Sequence, residues 1–326
     1  VQTHSPTGLP AGACGKEADM KANRPAQPVR EARNRIKMTT GDRIYQTVIY
    51  TVVTLITLAC LLPLLYVVGM SFTSEGEMIQ RNYFVIVPQK PITSAYEFVF
   101  SQRGFWNSMG ISVARTLLGV VAMLLFVIPG GYILAKQDMP GRKFVTMFFI
   151  TTMLISGGMI PSYLLLRDLG LLNTFWVYII PAFGNTYNML IVKIFVQSIP
   201  NDIIESADLD GATELRKMVY IAIPLLVPTI CALSLFAAVA HWNSWFDAML
   251  YVRKTDIHPV QLLIRNLMTT SSMSQTQDAS RTIYQKVTPE AMKMACVVVA
   301  MMPIMLVYPF LQKYFVYGMY TGSIKG

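Results

Sequence analysis

Two polar clusters stand where an otherwise apolar chain leaves room for chemistry. The first is 203–213, Ile-Ile-Glu-Ser-Ala-Asp-Leu-Asp-Gly-Ala-Thr, which continues into Glu214, Arg216 and Lys217. Charges packed this closely are too costly for hydrocarbon. The stretch is therefore a water-exposed loop with a structure of its own, of a kind that a partner grips. The second cluster is His241, Trp242, Asn243, Ser244, Trp245, Phe246 and Asp247. Its indoles can stack on flat apolar faces, and its Asn and Asp can hydrogen-bond hydroxyls. An aromatic belt facing lipid headgroups is the competing account. Asn185, Tyr187 and Asn188 share the same ambiguity.

Catalytic signatures are weak. Gly12-Ala13-Cys14-Gly15-Lys16-Glu17 resembles a phosphate-binding loop, but Pro10 replaces its leading glycine and Glu17 the required Ser or Thr. This chain is not expected to bind ATP by that route. His4, His241 and His258 are too scattered for a metal site, and Cys14, Cys60, Cys231 and Cys296 show no ligand spacing. The cysteines read as small buried hydrophobes. No catalytic residue, metal or cofactor of this chain's own is expected.

The elements that position these clusters follow from composition. Of 326 residues 53% are hydrophobic and only 14% charged, where a soluble domain carries roughly a quarter. Lipid is the solvent. Runs long enough for about 30 Å of hydrocarbon occur at 44–72, 111–135, 144–166, 174–195, 224–251 and 292–317. Backbone groups must be satisfied within each span, so the fold class is an all-α membrane protein of six transmembrane helices.

Membrane lipid is an expected partner, and no nucleic acid partner is expected. Lys136, Arg142 and Lys143 in one short connection vote for a cytoplasmic side. With both termini cytoplasmic, the loop 198–224 faces the cytoplasm. Residues 1–43, basic and rich in Pro and Ala, read as a flexible cytoplasmic arm, and 44–326 as the membrane domain.

The loop's local chemistry predicts two short helices. Ser198 or Asn201 caps the first, with Pro200, Asp202 and Glu205 suiting its first turn. Asp210-Gly211 makes a turn, and Thr213 caps the second helix, 214–220.

Glu205-Ser206-Ala207, Asp210-Gly211-Ala212 and Ile221 with Ile223-Pro224 closely resemble the cytoplasmic coupling motif of permease subunits in bacterial ABC importers. Ser206 and Ile223 are its two conservative departures. Ser156-Gly157-Gly158-Met159-Ile160-Pro161-Ser162-Tyr163, Arg167 to Thr174, His241 to Asp247 and Tyr308 to Phe315 look like the carbohydrate branch, the maltose-permease relatives. The resemblance covers about 44–326.

It implies a type I importer transmembrane domain with a second, related permease, two ATP-binding subunits that hold ATP and magnesium, and an extracytoplasmic solute-binding protein. Closure of the ATPases would drive alternating access through the loop. Glu205 would pair with a basic ATPase residue, Gly211 would supply the sharp turn, and Ala207 and Ala212 would pack on the ATPase cleft. The cluster 241–247, with Asn185, Tyr187 and Asn188, would line the path of an oligosaccharide, Trp stacking on a pyranose.

Helix breakers inside spans, Pro129-Gly130-Gly131, Gly157-Gly158 with Pro161, Pro181 with Gly184, and Pro303 with Pro309, mark kinks or close packing. The long segments 73–107 and 253–290 read as solvated outer loops or as contacts for the binding protein. Arg103, Arg253, Lys254 and Arg265 there would suit an acidic glycan.

Two other function classes stay in view. A secondary sugar transporter would show discontinuous spans and ionisable residues at mid-membrane, which the sequence does not display. A membrane-embedded glycan enzyme would need Asp247 and Glu97 as its catalytic pair.

Overall fold

The computed structural model describes residues 39–155, 157–273 and 288–323. Most of the arm 1–43, with Cys14, as well as Ser156 and part of the polar run 269–277, lie outside the described residues. All elements among the described residues are helical, as the sequence predicts.

Two units are distinguished, Val1–Leu58 and Ala59–Gly326. In the first, Thr39 and Asp42 cap a helix reciprocally: the Asp42 N–H donates to Thr39 Oγ1 at 3.3 Å, and the Thr39 N–H and hydroxyl donate to Asp42 Oδ2 at 2.9 and 2.8 Å. That cap launches α1, Thr40–Ser71. Its Ile44, Val48, Val53 and Leu55 are all exposed, as suits a helix surrounded by lipid.

The second unit continues with α2 (Glu75–Gln80), α3 (Ser94–Ser101), α4 (Phe105–Ala135), α5 (Arg142–Leu154) and α6 (Met159–Asp168). Two 3-10 turns, Phe175–Tyr178 and Ile180–Ala182, precede α7 (Thr186–Gln197), α8 (Asn201–Leu209) and α9 (Glu214–Lys217). A π turn, Met218–Ala222, leads to α10 (Ile223–Leu225), α11 (Val227–Asn243), α12 (Phe246–Tyr251), α13 (Val260–Met273) and α14 (Pro289–Ser323).

Among the described residues, α1, α4 and 21 residues of α14 are each long and apolar enough to cross a membrane. Three bent pairs also pass together, which allows up to six crossings. One is α5 with α6. Another is the 3-10 segment with α7, bent by 41°, and the third runs from Glu214 to Asn243 with a 79° bend before α11. Hydropathy located these spans but not their bends. The fifth helix ends at Asn243, where 224–251 was expected to be continuous.

α4 is the axis of this unit. It runs unbroken through Pro129, and a Cβ on Gly130 would lie 2.6 Å from Met189 Sδ, one on Gly131 2.6 Å from Val192 Cγ1. These glycines let α7 approach α4 closely; they make no kink. The breaks fall instead at Gly158, with φ of +85°, and at 183–185.

The segment 73–107 is not a solvated loop. Met78, Val85, Ala95, Val99 and Phe105 are buried in one core with Trp242, Val260 and Cys296. The start of α4 therefore lies in a folded cap. At about 1.5 Å per residue, the 31 residues of α4 carry the chain about 46 Å to its other end, where α9 sits. Cys60 is exposed and Cys231 half-buried, so of the described cysteines only Cys296 is a buried hydrophobe.

Candidate functional site

The helix pair at 201–217 is built by local rules. Pro200 takes the N-cap position of α8 with extended ψ; neither Ser198 nor Asn201 caps it, and the Ser198 hydroxyl donates back to Phe195 O at 2.7 Å. At the other end Asp210 is the C-cap and Gly211 has φ of +72°. The Ala212 N–H donates to Ala207 O at 3.0 Å and the Gly211 N–H to Asp208 O at 3.0 Å. That is a Schellman turn, whose left-handed position favours glycine. Thr213 then caps α9, accepting from the Arg216 N–H at 3.4 Å.

Gly211, Glu205, Ser206 and Asp210 are exposed, and Leu209 and Leu215 present apolar side chains to solvent at 90% and 67% exposure. Ala207 is buried within this chain, Ala212 and Ile223 are half-buried, and Pro224 is exposed.

Beneath this surface lies an ion cluster that the sequence did not reveal. Lys217 is buried and bonds both Asp208 of α8 and Glu214 of α9, the latter at 2.7 Å. Glu214 also pairs with Lys136, just past α4, and accepts from the Tyr132 hydroxyl at 3.0 Å. Burial raises the Glu214 pKa, but hydrogen bonds from Lys136, Lys217 and Tyr132 outweigh it and hold the carboxyl at about 2. These charges precede the 79° bend and lie outside the apolar run of α11.

The second cluster, 241–247, is split by the break between α11 and α12. Trp242 points into the core, its Nε1 donating to Ala300 O at 2.9 Å. Asn243 is exposed, and Trp245 lies under the exposed Arg265 guanidinium, 3.4 Å from the ring centroid. Asp247 meets Arg115, a fully buried side chain of α4, with Nη2 to Oδ2 at 2.5 Å and Nη1 to Oδ1 at 3.4 Å. It also accepts from Ser244 Oγ at 2.8 Å and from the Ala248 N–H at 2.9 Å. The Arg115 guanidinium lies 4.4 Å from the Tyr178 ring centroid and bonds Ser244 O at 3.2 Å.

Arg115 was overlooked in the sequence. A lone arginine within 111–135 was itself a signal, since a charge inside a span needs a partner and Asp247 is the acid available.

His241 and Asn185 are brought together. They line a cavity of about 260 Å³ with Met123, Pro181, Ala182, Gly184, Ala237 and Ala240. Asn185 also caps α7, accepting from the Asn188 N–H at 3.0 Å. Asn188 is buried and donates to Met123 Sδ at 3.0 Å, and Tyr187 is exposed. The irregular backbone at 175–185 thus borders a cavity, the setting in which non-helical backbone is tolerated at membrane depth. Glu97, the other acid of the enzyme reading, accepts from Thr93 Oγ1 at 2.7 Å, while Asp247 is held by Arg115.

The profile of the family described as "Binding-protein-dependent transport system inner membrane component" matches residues 127–319. Protein LplC of Bacillus subtilis is 41% identical over 267 residues, 82% of this chain and 90% of that protein. The polygalacturonan/rhamnogalacturonan transport system permease protein YtcP of the same organism is 35% identical over 285 residues, 87% and 99% of the two chains. A chain in the crystal structure of a bacterial ABC transporter involved in import of the acidic polysaccharide alginate superposes with a TM-score of 0.76, at 30% identity, covering 85% of this chain and 99% of that one.

Proposed function

Because the chain belongs to the inner membrane components of binding-protein-dependent transport systems, we propose that it is the permease subunit of an ATP-driven importer of acidic oligosaccharides. The observation that carries this reading is the α8–α9 pair. Its Schellman turn holds Gly211 at the tip and leaves Leu209 and Leu215 bare, a small apolar surface flanked by Glu205 and Asp210. Two ATP-binding subunits, which hold ATP and magnesium, receive such a pair; this chain conducts and does not catalyse. A second permease completes the path, and a solute-binding protein delivers the sugar to the far end.

Lys136 supports the orientation. It joins the basic 135–143 connection to Glu214, so α9 shares the end where positive charge accumulates, which supports a cytoplasmic position for the pair. Both termini then lie in the cytoplasm. The cavity between His241 and Asn185 is the sugar path's narrowest claim: about 260 Å³ suits one sugar ring. The acidic class rests on the polygalacturonan relative, the alginate-importer likeness and the exposed Arg265 guanidinium over Trp245.

Breaks at Gly158 and 183–185 and the ion pair of the buried Arg115 with Asp247 are features that a secondary transporter was expected to show and the sequence did not display. The family, not their absence, decides between the two. Proteoliposomes holding this chain, its partner permease and both ATPase subunits should take up labelled oligogalacturonates only with ATP and the binding protein inside and outside respectively. Uptake driven by an ion gradient without ATPase subunits would overturn the reading; preference for neutral malto-oligosaccharides would overturn the acidic class alone.

A further inference from the structure

We propose that Lys217 is the positioning residue that makes α8 and α9 move as one body and ties that body to α4, and so to the sugar path. This rests on the importer reading above.

The argument begins with burial. An ammonium almost fully removed from water needs compensation, and Lys217 has it from two directions, Asp208 on α8 and Glu214 on α9. The turn between these helices is short and carries a glycine, so a backbone hinge at 210–212 would let them flex apart. The ammonium closes the open side of that hinge. Glu214 then shares its other oxygen with Lys136 and Tyr132, so the cluster continues without a gap from α8 through α9 to the end of α4.

α4 carries the consequence to the cavity. Met123 of α4 lines it, and Gly119 lies against the His241 ring on the opposite wall. A push on Leu209 is thus delivered to α4 through charged, hydrogen-bonded groups, not through a loose loop. Apolar packing seats Ile204 of α8 and, past α9, Met218 and Ala222 in one core, but the ion pairs of Lys217 join α8 to α9 directly.

Removing the charge need not unfold the pair. Asp208 and Glu214 are each about half exposed at 53% and 54%, so water can solvate them once the ammonium has gone. Lys217→Met should keep the stem's packing and lose the clamp. Lys217→Arg should keep it, because a guanidinium can bond two carboxylates.

The test uses the full importer in nanodiscs, with Cys14, Cys60, Cys231 and Cys296 replaced by Ala and Ala240→Cys placed in the cavity. Maleimide labelling of that thiol is compared with and without ATP and vanadate, alongside ATP hydrolysis and retention of the ATPase subunits. In Lys217→Met the subunits should stay bound and hydrolyse ATP, while the nucleotide-driven change in labelling falls at least about tenfold, a coupling loss of ordinary size. Lys217→Arg should restore it. A Lys217→Met complex that switches like the parent, or one that sheds its ATPase subunits, overturns the proposal. No switch in the Lys217 parent, with no ATP-dependent uptake, overturns the importer reading itself and this inference with it.

Discussion

Arg115 and Asp247 face each other in two parallel contacts, Nη2 to Oδ2 at 2.5 Å and Nη1 to Oδ1 at 3.4 Å, joining α4 to the first turn of α12. The arginine is 1% exposed. Without Asp247 the arginine would be stranded, at a cost of about 3–5 kcal/mol for a buried charge, whereas the aspartate is 26% exposed and keeps Ser244 and the Ala248 N–H as partners. Asp247→Leu should therefore lower the melting temperature of the purified complex sharply. The double change Arg115→Leu with Asp247→Leu should recover much of that loss, since apolar replacement of both partners is often neutral. Equal melting losses in the single and double variants would show that the pair is not the cause.

Gly211 offers a cleaner backbone test. With φ of +72°, a residue bearing a Cβ costs about 1–2 kcal/mol there, yet nothing in this chain lies within 4 Å of such an atom. Gly211→Asn, which tolerates the left-handed region, should fold and keep α8–α9 intact; Gly211→Val should not. If Asn nevertheless stops ATP-dependent uptake, the space beside Gly211 is filled by another subunit. Uptake unchanged in both variants would mean that the turn's shape is irrelevant to coupling.

The α8–α9 pair was legible because its rules are local. Pro200, Asp210-Gly211 and Thr213 act within a few residues of themselves; the departures are the first cap and the second helix, expected over 214–220, which passes into a π turn after Lys217. The six apolar runs were legible because hydropathy sums over a window. Direction was not: the same composition serves a straight helix and one bent by 79°. Pairings across the sequence were the least visible. Asp247 looked free to bond a sugar until Arg115, 132 positions away, was found to hold it, and 73–107 looked solvated until its apolar residues met Val260 and Cys296.

Trp242 and Trp245, three positions apart, should behave differently. Trp242 fills the cap core and donates to Ala300 O; truncation to Ala opens a cavity worth about 3–5 kcal/mol. Trp242→Ala should reduce the folded yield and the melting temperature. Trp245 is half-buried beneath Arg265, a contact of roughly 1 kcal/mol. Trp245 also packs at the edge of a second core, so Trp245→Ala should lower melting less than Trp242→Ala and weaken oligogalacturonate uptake while basal ATP hydrolysis persists. Unaltered uptake would place the ring outside the sugar's path.

Gly119 and His241 give the most direct test of the cavity. A Cβ at 119 would lie 2.5 Å from the imidazole Cε1, closer than packed atoms can stand, so Gly119→Ala must displace the ring that lines the space of about 260 Å³. Half-saturating substrate should then rise for uptake, while hydrolysis by the ATPase subunits changes little. The shift should vanish on a His241→Ala background, because no ring remains to be displaced; the two changes share a contact and cannot be additive. A Gly119→Ala defect of equal size with and without His241 would show that α4 packing, not the cavity wall, is what the glycine serves.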